Sequence, residues 1–172
     1  MNNETKYTDR KGDWIQTYSG GRFYPFDPRV EDVTLDDIVH ALAYTNRYGG
    51  HLETPISVLT HTLIVYHLVK RANGNRVERL WALLHDAAEA YIGDIPTPIK
   101  RNFPEFSEME DKILRVVCEK FQLPFEMPAL VKTKDYYAIS IEKALAFPKA
   151  EIWSNHPVVA NHFPDACKSN YF

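Results

Sequence analysis

The chain has 172 residues, enough to enclose one substantial apolar core, and its 45% hydrophobic and 25% charged residues are far from the composition of disorder. A formal net charge of −3 supplies no basic field for a long nucleic-acid backbone, so any nucleotide it binds is expected to be small and held locally. Two cysteines, Cys118 and Cys167, do not make a disulfide scaffold; with no apolar signal segment at Met1–Lys6 and no run of membrane-spanning length, a cytoplasmic protein is expected.

Residues 1–33 are rich in Gly, Pro and aromatic residues, as in Tyr18-Ser19-Gly20-Gly21-Arg22-Phe23-Tyr24-Pro25, and read as an irregular or short-strand arm. Thr34, with Asp37 three residues on, caps a first helix through Ile38, Ala41, Leu42 and Tyr44 that fails at Tyr48-Gly49-Gly50. Thr54 as cap and Pro55 at the first helical position open a second helix, which carries Val58, Leu59, Leu63, Val65 and Val69 and stops at Asn73-Gly74. Arg76 to Tyr91 reads as an uninterrupted third helix. After it, Gly93 and the prolines of Asp94-Ile95-Pro96-Thr97-Pro98 forbid further helix. Ser107 and Glu110 make a capping box for a fourth helix, and a fifth begins near Pro128 and ends before Pro148. The expectation is an all-α bundle of about five core helices over residues 34–147 of a single domain, with a tail, 148–172, that the pattern does not place.

The adjacent pair His85-Asp86 inside an apolar helix demands partners, because both groups are costly to bury alone. Neighbours on a helix differ by roughly 100° in direction, so one flank can aim both side chains at a common point. A metal ion or a hydrogen-bonded core contact there would satisfy them. His61 and Asp135 are likewise polar groups in the middle of apolar helices, so three helices can converge on one ion. Imidazole with carboxylate suits Mn²⁺, Fe²⁺, Co²⁺ or Zn²⁺. Taken singly, Asp135 reads as an exposed partner of its neighbouring lysines. His40, His67, His156 and His162 carry no assigned role.

The order His61, His85-Asp86, Asp135 resembles the HD-domain metal-dependent phosphohydrolase superfamily. The run His85-Asp86-Ala87-Ala88-Glu89-Ala90-Tyr91-Ile92-Gly93-Asp94-Ile95-Pro96-Thr97-Pro98-Ile99-Lys100 is similar to the corresponding stretch of bacterial 5′-deoxynucleotidases, and the likeness extends over about Asp36 to Phe147. It implies an all-α HD-domain bundle in which His61, His85, Asp86 and Asp135 hold one divalent transition metal, with Mg²⁺ an alternative where the substrate is a polyphosphate. It also implies that Glu89 and Asp94 are the working acids, and that Arg47 and Tyr48 hold the phosphate and stack on the sugar or base. His51 and Lys100 are further candidates for the phosphate. Plainer readings stand beside these: a surface charge for Glu89, a turn-forming residue for Asp94, a complement to the helix dipole for Arg47, ordinary surface for His51, a solvated Lys100. Glu142, two turns beyond Asp135, either orients a ligand or a loop or contacts substrate.

The implied activity is metal-dependent hydrolysis of a small deoxynucleotide, releasing phosphate from a monophosphate or triphosphate from a triphosphate; a homo-oligomer is compatible with it. Di-iron oxygenases and cyclic-dinucleotide phosphodiesterases of the HD type normally carry extra histidines between the pair and the last Asp, and no His lies between Asp86 and Asp135. A guanosine-alarmone hydrolase and a non-catalytic nucleotide-binding module rank below, the latter because it has no need of the acids Glu89 and Asp94.

Overall fold

A computed structural model describes residues 9–147, and the expectations for the tail, with Cys167, His156 and His162, lie outside them. The arm forms a short antiparallel hairpin, β1 (Ile15–Gln16) with β2 (Arg22–Phe23), Ile15 opposite Phe23. The helices are α1 (Leu35–Tyr44), α2 (Val58–Arg71), α3 (Arg76–Leu84), α4 (Glu89–Ile92), α5 (Thr97–Lys100), α6 (Pro104–Lys120) and α7 (Ala129–Ala146). This is the expected all-α architecture. Its core is built from residues at helical spacing, among them Val58, Val65 and Val69 of α2, Trp81 and Leu84 of α3, Ile113 and Val117 of α6, and Val131 and Ala138 of α7. α2 packs against both α3 and α7, and α3 against α7, so the three form a closed triangle.

Several boundaries differ from the sequence expectation, each for a local reason. α1 stops at Tyr44; Arg47–Gly50 is a separate 3₁₀ turn in which Tyr48 (φ 57°) and Gly49 (φ 60°) are left-handed. α2 opens at Val58 with Ser57 as its cap, accepting the Thr60 amide, so Thr54 and Pro55 precede the helix. The third helix is interrupted: between Leu84 and Tyr91 the amides of Ala87, Glu89, Ala90 and Tyr91 bond three residues back, giving a tightened stretch at the His85-Asp86 pair. The prolines thought to exclude helix instead start one, Pro96 capping α5 and Pro98 lying in its first turn. α6 likewise begins at Pro104, which leaves Ser107 and Glu110 inside the helix.

Two contacts that pin the arm to the bundle lie at Asp37 and Phe23. Asp37, buried in the first turn of α1, accepts from the Ser19 amide (2.7 Å), the Ser19 hydroxyl (2.9 Å) and the Thr34 hydroxyl (2.6 Å). Burial alone would raise its pKa, but these hydrogen bonds outweigh it and hold the carboxyl below its ordinary value. Phe23 is wholly buried and stacks on Tyr91 of α4, ring centroids 3.7 Å apart. Phe23→Ala should therefore cost about 3–5 kcal/mol in urea denaturation and speed tryptic cleavage after Arg22. Wild-type stability in that variant would mean that the hairpin is not part of the cooperative core.

Candidate metal centre

Each helix of the triangle delivers one part of a common cluster. His61 projects from the buried face of α2, which also carries Val58, Thr62, Val65 and Val69. His85 and Asp86 follow the last residue of α3, and Asp135 lies four residues after Val131 on α7. His61 Nε2 is 3.3 Å from His85 Nε2, 3.6 Å from Asp86 Oδ2 and 3.0 Å from Asp135 Oδ1. His85 Nε2 is 3.3 Å from Asp86 Oδ2 and 3.9 Å from Asp135 Oδ1. Ligand atoms that each sit about 2.0–2.2 Å from one ion are separated from each other by roughly 3–4 Å, so the spacing of His61, His85 and Asp86 fits one divalent cation, and Asp135 Oδ1 stands beside it within 3.9 Å of both imidazoles.

Hydrogen bonds at the far ring nitrogens set the direction of both imidazoles. His85 Nδ1 donates to the Ala82 carbonyl (3.0 Å), and His61 Nδ1 donates to Glu142 Oε1 (2.6 Å). Both therefore present Nε2 to the cluster. The imidazoles are buried, whereas the side chains of Asp86 and Asp135 are 20% and 34% exposed, so the centre opens to solvent on its carboxylate side. Burial alone would lower the pKa of His61, but hydrogen bonds with Asp135 and Glu142 push it up to about 9. Burial would likewise raise Asp135, and its His61 hydrogen bond overrides this and lowers it.

Acids and a guanidinium ring the cluster. Glu89 is buried, with Oε2 lacking any hydrogen-bond partner among the described residues. Burial, then the charges of Asp86 and Asp94, hold its pKa well above the carboxylate range. The tightened backbone contributes to this, because at three residues per turn Asp86 and Glu89 stack on one side. Gly93 adopts φ 78°, ψ 165°, a conformation open essentially to glycine alone, and it turns the chain so that Asp94 Oδ2 accepts the Tyr48 amide (3.2 Å). Arg47 is buried in its 3₁₀ turn, its Nε donating to Glu142 Oε2 (3.0 Å) and its Nη1 lying 3.7 Å from Asp86 Oδ2. The Tyr48 hydroxyl donates to the same Glu142 oxygen (2.7 Å).

The structure thus brings His61, His85, Asp86, Asp135, Glu89, Asp94, Arg47 and Tyr48 together. Lys100 reaches Glu110 of α6 (2.6 Å) and Glu89 (3.5 Å), a side chain held by carboxylates rather than a solvated one. His51 is exposed beyond the Arg47 turn, its ring making no hydrogen bond or ion pair with a described residue. Glu142, which the sequence left between two roles, is wholly buried against three donors. Its only sequence signal is a position two turns from Asp135 on one face of α7.

A helical bundle that gathers a His, a His-Asp pair and a later Asp at one point is an HD domain, and the fold agrees with a solved member of that class. The cyanophage S-2L HD phosphohydrolase DatZ, whose structure holds dA and one catalytic Zn²⁺, superposes with a TM-score of 0.53 at 23% identity, over 69% of this chain and 75% of that one. The chain belongs to the YfbR-like 5′-deoxynucleotidase family, whose profile matches residues 51–146. Among its relatives, the uncharacterized protein YfdR of Escherichia coli K12 is 37% identical over 130 residues, 76% of this chain and 70% of that protein. An uncharacterized Rhodobacter capsulatus protein is 38% identical over 124 residues, 69% of this chain and 63% of the relative. A 5′-deoxynucleotidase of Yersinia pestis is 34% identical over 97 residues, 52% of this chain and 49% of the enzyme. The matched stretch thus spans about half the length of the Yersinia enzyme. Among the described residues no helix is long and apolar enough to cross a membrane.

We expect Asp86→Ala to lose a carboxylate that stands within 3.6 Å of both imidazoles, and with it divalent-ion retention. Metal analysis of the purified variant after dialysis should fall to a small fraction of the wild-type content. Equal content in the two proteins would remove Asp86 from the ligand set.

Proposed function

We propose that the chain is a metal-dependent phosphomonoesterase that releases orthophosphate from small deoxynucleoside 5′-monophosphates. The observation that supports this most directly is Glu89, a buried carboxylate with an unpartnered oxygen beside imidazole and carboxylate donors whose spacing fits one divalent ion. Such an orphaned carboxylate is costly in a core, and its raised proton affinity makes it a strong base once the charge of a bound cation leaves it ionised.

In this reading His61, His85, Asp86 and Asp135 hold the ion, which supplies charge to a phosphoryl oxygen and acidity to a water molecule. Glu89 takes a proton from the attacking water as its oxygen bonds to phosphorus and the bond to the 5′ oxygen breaks. Asp94 has one oxygen engaged by the Tyr48 amide, and its other oxygen relays a proton from solvent to the departing 5′ oxygen, balancing the proton that Glu89 takes from the attacking water and later returns to solvent. Arg47 spends Nε on Glu142, and its outer nitrogens face the phosphate from the side of Asp86. Tyr48 borders the sugar, and His51 lies at the rim. We assign Lys100 to Glu89 instead of the phosphate, because Glu110 and Glu89 already hold its ammonium.

Charge favours the monophosphate over the triphosphate. Around the cluster, among the described residues, stand Asp86, Glu89, Asp94, Asp135 and Glu142 against the cations Arg47 and Lys100. An ion and Arg47 suffice for one phosphate, whereas the extra charge of a triphosphate would enter the same ring of carboxylates.

Product analysis across the deoxynucleoside mono- and triphosphates with Mn²⁺ or Co²⁺ tests the assignment. Orthophosphate and deoxynucleoside from the monophosphates are expected. Inorganic triphosphate from the triphosphates would move the activity to a triphosphohydrolase, and no turnover on either set would leave a binding module. Within the same assay, Glu89→Gln should keep its metal and lose about 10²–10⁴-fold in kcat. An unaltered kcat would take Glu89 out of the proton-transfer step.

A further inference from the structure

Glu142 is fully buried on α7, and a carboxylate withdrawn from water is tolerated only where donors saturate it. It has three, and they divide between its two oxygens. Oε1 takes the Nδ1 proton of His61 at 2.6 Å; Oε2 takes Arg47 Nε at 3.0 Å and the Tyr48 hydroxyl at 2.7 Å. The two sets of donors serve different parts of the site. His61 belongs to the cluster of α2, α3 and α7, while Arg47 and Tyr48 belong to the turn before α2 that faces Asp86 and Asp94.

We propose that Glu142 is a positioning residue that anchors the ion-binding cluster and the substrate-contacting turn to a single carboxylate. This rests on the phosphohydrolase reading above and adds to it the means by which the two halves of the site keep register.

The chemistry of each bond fixes a different property. A carboxylate only accepts, so a neutral His61 must carry its proton on Nδ1, which would leave the Nε2 lone pair to a cation among the other ligand atoms. A negative charge behind an imidazole also makes it a stronger ligand. On the other oxygen, the bond to Nε holds the guanidinium by its inner nitrogen, so that Nη1, 3.7 Å from Asp86 Oδ2, and Nη2 are the nitrogens left to fork toward an anion. Tyr48 is held in a left-handed conformation that a bulky residue rarely adopts, with Asp94 on its amide and Glu142 on its hydroxyl. Without Glu142 that turn has one anchor fewer, and the arginine it carries is free to swing.

Glu142→Gln is the test, because the amide keeps the volume but offers one accepting oxygen where two are needed. In the full-length chain the dissociation constant for Co²⁺ should rise about 10–100-fold. At saturating Co²⁺ the KM for dAMP should rise tenfold or more while kcat moves by less. Tyr48→Phe, which removes a donor from Oε2 alone, should raise KM and leave Co²⁺ affinity unchanged. In the zinc-loaded wild-type protein, long-range ¹H–¹⁵N spectra should show His61 protonated at Nδ1, a readout that stands even if Glu142→Gln fails to fold. Wild-type Co²⁺ affinity in Glu142→Gln, or an unprotonated Nδ1 on His61, overturns the proposal. A wild-type chain that binds Co²⁺ yet hydrolyses no nucleotide would count against the phosphohydrolase reading alone.

Discussion

The fold closes around groups that repel one another. Asp86 and Asp135 face the same pair of imidazoles, Glu89 feels the charges of Asp86 and Asp94, and Glu142 lies behind His61 in full burial. Two unit charges about 4 Å apart interact by about 4 kcal/mol at the effective dielectric of a protein surface, so such a set persists only where positive charge and donated protons compensate it. The protein supplies part of that compensation through Arg47 and Lys100, and the geometry of the Nε2 and carboxylate oxygens admits a divalent cation for the rest. The mutual packing of α2, α3 and α7 is what keeps the set together, because each helix carries ligand-type groups on the face it buries against the others.

Three local backbone irregularities fall at the same place. The hydrogen bonds tighten to three-residue spacing from Leu84 to Tyr91, Gly93 takes a conformation closed to other residues, and Tyr48 is left-handed. Each departure re-aims a functional group: the first stacks Asp86 and Glu89, the second returns Asp94 to the Arg47 turn, and the third points the Tyr48 hydroxyl at Glu142. The cost of these conformations is met by packing nearby, including the stack of Phe23 on Tyr91 just beside the tightened segment. Among the described residues, the arm thus bears on the site without contributing a ligand-type side chain to it.

The helices were legible in the sequence because the apolar period is strong: Thr34 caps α1 as its spacing with Asp37 suggests, and α7 follows Pro128. What periodicity could not reveal is where a helix is bent to serve the site. Arg76 to Tyr91 keeps a helical apolar pattern through the tightened stretch, because residues three apart stay neighbours in either geometry. The prolines at 96 and 98 read as terminators, although proline is equally compatible with a first turn, and only the following residues decide between stop and start. The convergence of His61, His85, Asp86 and Asp135 was anticipated from their shared incongruity among apolar neighbours. The sequence leaves Glu142 between orienting a ligand or loop and contacting substrate, and it does not signal the Lys100–Glu110 pair at all, since a Glu on a helix has the same sequence signature buried or exposed.

Arg47 illustrates how the charges in such a site constrain one another. Burial would strip its proton, yet Glu142 and Asp86 raise its pKa further above an already high value, so it is a permanent cation. Its Nη1 lies 3.7 Å from Asp86 Oδ2, the same oxygen that stands 3.3 Å from His85 Nε2 and 3.6 Å from His61 Nε2. That oxygen cannot serve a cation and the guanidinium equally, because charge drawn toward one weakens its hold on the other. A divalent ion held by the cluster would loosen the attraction between Asp86 and Arg47, while Glu142 would keep the guanidinium in place from behind. On the proposed phosphohydrolase reading, the arginine would then keep Glu142 at its Nε and turn its outer N–H groups toward the side of the ion, an arrangement suited to a phosphate dianion.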